Sequence, residues 1–208
     1  MSDLEEFGFI RVVWHEYGHV VARYFNEKRY GGPGLRSVEI KKHTITNVQF
    51  EGFTIPDSSP GGEAEDILNC ERLPQIRASL VYGCFMQTIY LNKEMGNGNY
   101  KECFEDRITA AGYEDFWDAK CDMSKCGVSE ARMTDVYTCF DEHFEGIKRL
   151  PYIIEVVKMK IDPLISGEDP IYYVEYSKLG GGHITLLAQH EQRYIQFVED
   201  IKRKLSGV

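Results

Sequence analysis

The sequence lacks the features that mark export, membrane insertion and nucleic-acid binding. Its first residues, Met-Ser-Asp-Leu-Glu-Glu, are acidic where a secretory signal peptide is basic. No run approaches the ~18 uninterrupted apolar residues that a membrane-spanning helix needs. The formal net charge of −9 disfavours binding to nucleic acid or to an anionic membrane surface, because both require a basic face. We therefore expect a cytoplasmic protein that binds neither nucleic acid nor membrane.

Cysteine motifs for metal binding are also missing. The chain has six cysteines, but no two of them form a Cys-x-x-Cys pair, so a thiolate zinc knuckle has little support. Because no secretion signal is visible, we expect reduced thiols throughout, including buried thiols at Cys121 and Cys126.

The composition is that of a globular domain. Hydrophobic residues make up 43% and charged residues 27% of the 208 positions, and 13 Tyr, 11 Phe and 2 Trp supply apolar area for a core. A chain of this size suits one domain, which we expect to cover residues 1–208.

The hydrophobic pattern predicts a mainly helical chain with a small β-hairpin or sheet, an α+β fold. A helix from Leu4 to about Arg29 is apolar on most sides and is expected to lie in the core. Strands are expected at about 35–41 and 48–53, and at Ile171–Tyr176. Further helices are expected at about 74–91, 101–110, 114–125, 129–148, 151–165 and 184–205.

The first helix contains His15-Glu16-Tyr17-Gly18-His19, a His-Glu-x-x-His pattern. Residues four apart lie on one helix face, so both imidazoles project together, as two ligands of a tetrahedral zinc ion require. Glu16 is placed to accept a proton from a water on the metal rather than to bind the metal. The pattern predicts one Zn²⁺ per chain, with His15 and His19 as ligands and Glu16 as general base.

The alternative is that His15 and His19 are hydrogen-bonded core residues and that Glu16 is incidental. Burying two imidazoles and a carboxylate without a metal or partners would cost several kcal/mol, which favours metal binding. A catalytic zinc site also needs a third protein ligand and an open position. No His-x-x-Gly-x-x-His extension follows the motif, so the third ligand must come from elsewhere in the chain.

Several segments resemble, in the same order, the peptidase domain of FtsH-type AAA zinc proteases. Arg11–Ala22 is similar to the metal-binding helix of that family, whose motif reads His-Glu-Ala-Gly-His. Leu35–Ile40 and Gly52–Thr54 resemble the hairpin that follows, and Ala78–Gly83 resembles the start of the next helix. The resemblance covers about residues 9–129 and leaves 130–208 as a helical C-terminal part.

The resemblance also implies a third zinc ligand. Gly112–Ala119, continuing to Gly127–Ser129, is similar to the family's Gly-x-x-x-Asp segment, whose aspartate binds zinc; this maps to Asp115. The glycine here lies three rather than four residues before the aspartate. The spacing of Asp115, Asp118 and Asp122 is also typical of a solvated helix face. Other acids therefore stay open as ligands: Asp118, Glu114, Asp106, Glu63 and Glu65.

The chain departs from the family in two ways. The family's Gly-Arg-Ala-Ala-Glu stretch is here Gly83-Cys-Phe-Met-Gln87, and no ATPase module accompanies the motif. We therefore expect a stand-alone endopeptidase domain that hydrolyses peptides or unfolded proteins, with no prediction for its oligomeric state. The alternatives are an inactive zinc-binding interaction protein, a purely structural zinc site, and a repressor-cleaving peptidase with a glutamate ligand in 63–90.

Three weaker expectations complete the sequence analysis. His183 and His190 are candidates for substrate contacts, but surface positions are the preferred interpretation. The glycine triplet 180–182 is expected to form a hinge before the last helix. An extended substrate could add a strand along the hairpin edge at about 47–54.

Overall fold

The structure is a computed structural model that describes residues 3–32, 35–42, 50–56, 70–95, 98–105, 111–148, 164–166 and 171–207. It is mostly helical, as the sequence predicts. The helices are α1 (Asp3–Tyr30), α2 (Leu73–Met95), α3 (Tyr100–Glu105), α4 (Ala111–Lys125), α5 (Glu130–Ile147) and α6 (Tyr176–Ser206). A short 3-10 turn, Cys70–Arg72, precedes α2. None of the described helices is long and apolar enough to cross a membrane.

The described strands are β1 (Leu35–Lys42), β2 (Phe50–Pro56), β3 (Leu164–Ser166) and β4 (Ile171–Glu175). They form one sheet in the order β2-β1-β4-β3, and each neighbouring pair is antiparallel. β2 therefore lies at one end of this order, and it contacts α1. The sheet thus brings a strand against the helix that carries the His-Glu-x-x-His pattern.

Helix α1 packs along α2 through the middle of the core. Its central turns are buried, including Trp14, Val21 and Phe25. A Cβ atom at Gly18 would overlap the Tyr82 carbonyl of α2, so the glycine allows the two backbones to approach closely. The helix ends where Gly31 adopts a φ of 66°, the left-handed conformation that glycine provides at helix C-termini.

Two expectations about the C-terminal part were wrong. Helix α6 begins at Tyr176 rather than near 184, so the glycine triplet 180–182 lies inside a helix and forms no hinge. Glycine costs only about 1 kcal/mol per residue in a helix, which a long amphipathic helix can offset. Residues 164–166 form a strand instead of the end of a helix; 151–163 lie outside the described residues.

The prediction of reduced cysteines was wrong for one pair. Cys70, in the turn before α2, and Cys126, after α4, form a disulfide with Cα atoms 5.6 Å apart. They are separated by 56 positions in the sequence, and only the packing of α4 beside the start of α2 brings them together. Cys84, Cys103, Cys121 and Cys139 are reduced, and Cys121 is partly rather than fully buried.

Candidate metal centre

Helix α1 presents His15, Glu16 and His19 inside the protein. Their relative exposures are 1%, 3% and 8%. The two imidazole centroids are 4.8 Å apart, as expected for residues one helical turn apart. One donor atom from each of the three side chains lies within 4.8 Å of the others.

Asp115 on α4 contacts the Nε2 atoms of both histidines. Its Oδ2 atom lies 2.9 Å from Nε2 of His15 and 3.0 Å from Nε2 of His19. Two other acids considered as ligands, Glu114 and Asp118, are exposed on the same helix. Asp106, Glu63 and Glu65 lie outside the described residues. Among the acids that the structure describes, Asp115 is therefore the one that meets both Nε2 atoms.

The outer nitrogen of each imidazole faces a hydrogen-bond acceptor on α2. Nδ1 of His15 lies 3.2 Å from Oε1 of Gln87, and Nδ1 of His19 lies 2.9 Å from the carbonyl oxygen of Ser79. Because these oxygens only accept, each Nδ1 must carry a proton and donate it. In the neutral tautomer the lone pair is then on Nε2, the atom that faces Asp115. This arrangement of outer partners is common around metal-binding histidines.

Without a cation, this geometry has an electrostatic conflict. Two neutral imidazoles would direct their Nε2 lone pairs at the carboxylate oxygen of Asp115. Protonation of the imidazoles relieves the conflict, although it places positive charge in the core. A divalent cation held by His15, His19 and Asp115 would also relieve the conflict. Zinc bonds of 2.0–2.2 Å would hold such ligand atoms about 3.3 Å apart, close to the distances found here.

The pKa values of the three groups show the attraction between positive charge on the imidazoles and the Asp115 carboxylate. Burial lowers the pKa of His15, but hydrogen bonds and charges from Asp115 and Cys103 outweigh it and hold that pKa well above its usual value. Burial likewise lowers the pKa of His19, and Asp115 reverses the effect. For Asp115, burial raises the pKa, but the two imidazoles hold it well below its usual range. Each group thus favours an arrangement with positive charge between the imidazoles and the carboxylate.

Glu16 is held by strand β2. Its Oε2 atom accepts a hydrogen bond of 2.5 Å from the hydroxyl of Thr54. A Cβ atom at Gly52 would lie 2.5 Å from Cγ and 2.6 Å from Oε1 of Glu16, so the glycine lets the strand pass close to the carboxylate. Strand β2 therefore holds the Glu16 carboxylate beside the histidines, whereas α4 brings Asp115 to them.

Gly83 on α2 provides the space for both imidazoles. A Cβ atom at this position would lie 2.6 Å from Nε2 of His15 and 2.7 Å from Cε1 of His19. Any side chain here would displace the two rings from Asp115. The crossing of α1 and α2 at Gly18 and Gly83 thus also sets the position of the candidate ligands.

Sequence reasoning missed the partners that surround these ligands. Gln87 stands where the resembled family has an acid, and its contact with His15 was not anticipated. The roles of Thr54 and of the Ser79 carbonyl follow from the way the strand and α2 lie against α1, which no sequence spacing reveals. His190 was expected at the surface, but it is only 4% exposed because it lies on the inner face of α6. The side chain of His183 lies outside the described residues.

Comparison of the chain with models of known protein families, with curated proteins and with solved structures gives no match.

Proposed function

We propose that this chain is a zinc-dependent endopeptidase domain of the FtsH type, an α+β fold built around α1. In this proposal His15, His19 and Asp115 hold one Zn²⁺, and Glu16 is the general base. The observation that carries the proposal is that three donor atoms converge while both outer imidazole nitrogens face acceptors. That combination suits a bound cation better than a set of buried hydrogen bonds.

The chemistry divides between the metal and Glu16. A bound zinc ion would act as a Lewis acid and lower the pKa of a water towards ~7. Glu16 would take a proton from that water and pass it to the departing amine, which requires a carboxylate in a fixed position. Thr54 supplies that position through its hydrogen bond to Oε2. In this proposal the second oxygen of Glu16 carries out the proton transfer.

A peptide or unfolded protein is the substrate class that the arrangement favours. β2 lies at one end of the described sheet order and contacts α1, so an extended peptide that added to β2 would pass the metal centre. Replacing Phe50 by alanine should raise KM for peptides if this strand binds the substrate. Unchanged kinetics would place the substrate elsewhere. Val48, the other position considered for this test, lies outside the described residues.

Metal content is the first test of the proposal. Elemental analysis of the purified wild type should find about one zinc per chain, the stoichiometry of a single three-ligand site. Asp115→Ala should lose most of that zinc. Asp118→Ala removes an exposed acid from the same helix and should keep it. Wild-type protein that stays free of zinc after metal reconstitution would contradict the proposal.

Hydrolysis is tested with Glu16→Gln, which keeps the size of the side chain and removes the base. Zinc content should stay at the wild-type level, while kcat/KM on an unfolded protein substrate falls by roughly 10²–10⁴-fold. Activity that survives in Glu16→Gln would exclude the proposed mechanism. Wild-type protein with bound zinc and no activity on a broad set of unfolded substrates would favour a zinc-binding interaction protein or a structural zinc.

The remaining alternative is a repressor-cleaving peptidase with a glutamate ligand. It predicts that Asp115→Ala retains zinc and that replacement of Glu63 or Glu65 removes it. The same elemental analysis therefore separates the two ligand sets.

A further inference from the structure

Two reduced thiols lie behind His15, on the side of the ring that faces away from Asp115. Cys84 on α2 and Cys103 on α3 are 0% and 4% exposed. Their sulfur atoms and a ring nitrogen of His15 all lie within 4.8 Å of one another. Cys103 Sγ is 3.8 Å from Nδ1 of His15 and 3.6 Å from Oε1 of Gln87. The proposed zinc site uses neither sulfur.

The protein leaves room for this pair of sulfur atoms. A Cβ atom at Gly112, in the first turn of α4, would overlap Sγ of Cys103 and lie 2.8 Å from Sγ of Cys84. Any other residue at position 112 would therefore push the two thiols out of place. Helices α2, α3 and α4 meet at this cluster, and Gly112 leaves the space that the two sulfur atoms occupy.

The donor set is the one that soft metal ions prefer. Thiolates select Zn²⁺, Cu⁺ and similar ions over hard cations, and an imidazole completes a mixed sulfur–nitrogen set. In a tetrahedral zinc site with thiolate and imidazole ligands, neighbouring sulfur and nitrogen atoms lie about 3.5 Å apart, and two sulfurs about 3.8 Å. The 3.8 Å from Cys103 Sγ to His15 Nδ1 is close to that value.

We propose that Cys84, Cys103 and Nδ1 of His15 form a second metal site, which binds a thiophilic divalent cation. Binding releases the two thiol protons to solvent, and the Nδ1 proton of His15 moves to Nε2. A neutral imidazole has one lone pair, so His15 cannot bind both metals, and occupation of the thiolate site removes His15 from the first site. Occupation of the thiolate site would therefore inhibit the proposed peptidase. This inhibition rests on the proposed function, whereas the binding of the cation does not.

Cadmium is the probe for this site, because a thiolate bound to Cd²⁺ gives an ultraviolet charge-transfer band that histidine and carboxylate ligands do not produce. Titration of the full chain with CdCl₂ should give that band with a stoichiometry of about one. Cys84→Ser and Cys103→Ser should each lose most of the band and weaken Cd²⁺ binding at least about tenfold. Cys139→Ser, which removes a buried thiol elsewhere, should keep both.

The outcomes separate this site from the proposed zinc site. Asp115→Ala should lose zinc and keep the cadmium band, since Asp115 is not a ligand of the thiolate site. Circular dichroism of the serine variants, with their zinc content, shows that they are folded. A wild type without a thiolate band, or a band that persists in both serine variants, would overturn the proposal. A cadmium band in a chain that never binds zinc would support the thiolate site and reject the zinc peptidase.

Discussion

Within the described residues, two sets of histidines have opposite surroundings. His15 and His19 on α1 have an acceptor at each ring nitrogen, and a carboxylate lies between them. Nε2 of His143 on α5 instead forms a hydrogen bond of 2.6 Å with the Tyr82 hydroxyl, and the ring stacks on Phe197 with centroids 4.1 Å apart.

The electrostatics of the second set follow from burial. Burial lowers the pKa of His143 to about 3, with further lowering by the charges of His190 and Arg193. Burial and Arg193 also lower the pKa of His190 to about 4. Burial alone therefore favours the neutral form of these two histidines. The pair on α1 differs because Asp115 faces both rings and raises their pKa values, which favours positive charge at the candidate metal centre.

The largest expected effect comes from removing one histidine of each set. His19→Ala should reduce the zinc content from about one per chain to background, because a catalytic site rarely holds zinc with two protein ligands. His190→Ala removes a histidine that is buried to a similar degree and should keep the zinc. Elemental analysis after dialysis against zinc-free buffer measures both. Equal zinc loss in the two variants would mean that removing any buried histidine disturbs the fold, and that His19 has no specific role in zinc binding.

A second, smaller effect is expected from filling the space beside the imidazoles. Gly83→Ala places a methyl group 2.6 Å from His15 Nε2 and 2.7 Å from His19 Cε1. The rings must shift, and zinc affinity should fall by about 10–100-fold, although alanine favours the helix by about 1 kcal/mol. A competitive chelator titration gives the affinity. Gly32→Ala, where the new methyl would make ordinary contacts at 3.7 Å from Asn26, is the matched control and should bind zinc like the wild type.

Removing the acceptor at His15 tests the role of the outer nitrogen. Gln87→Met keeps the length of the side chain but cannot accept the Nδ1 hydrogen bond of 3.2 Å. Zinc affinity should fall by about tenfold, at the lower end of the effects seen for such outer partners. Gln196→Met, at an exposed position on α6, serves as the control. If the two variants bind zinc equally well, Gln87 does not orient the ring.

The sequence predicted the three candidate ligands, but not the residues that surround them. The spacing of His15 and His19 fixes their common face once α1 is a helix, and Asp115 was reached through the resemblance to a family. Gln87 and Thr54 could not be found in this way, because their contacts depend on where α2 and β2 lie against α1. The depth of His190 was missed for a related reason: helical periodicity gives the direction of a side chain and not the thickness of what covers it.

The smallest expected effect is a difference in pH dependence that isolates the second set of histidines. The native pKa of His143, about 3, lies below the unfolded value of 6.5, so between these pH values the proton binds the unfolded chain more readily. The free energy of unfolding should therefore fall as pH drops below about 6.5, and His143 should contribute nothing above it. The whole shift corresponds to about 5 kcal/mol, but His143 is partly exposed and solvent screens its charge, so we expect about 1–2 kcal/mol.

His143→Gln retains an oxygen that can accept from Tyr82 and removes the titration, so its unfolding free energy should fall less steeply between pH 6.5 and pH 4. Urea denaturation of both proteins at each pH measures this slope. A chelator in every sample keeps zinc off the protein, so that zinc release at low pH does not contribute to the measured slope. The groups that face the His143 ring come from two helices: Tyr82 and Phe85 on α2, and His190, Arg193 and Phe197 on α6. Because His190 titrates in the same direction, His190→Gln should also flatten the profile, and parallel slopes in all three proteins would show that these histidines are not buried in neutral form.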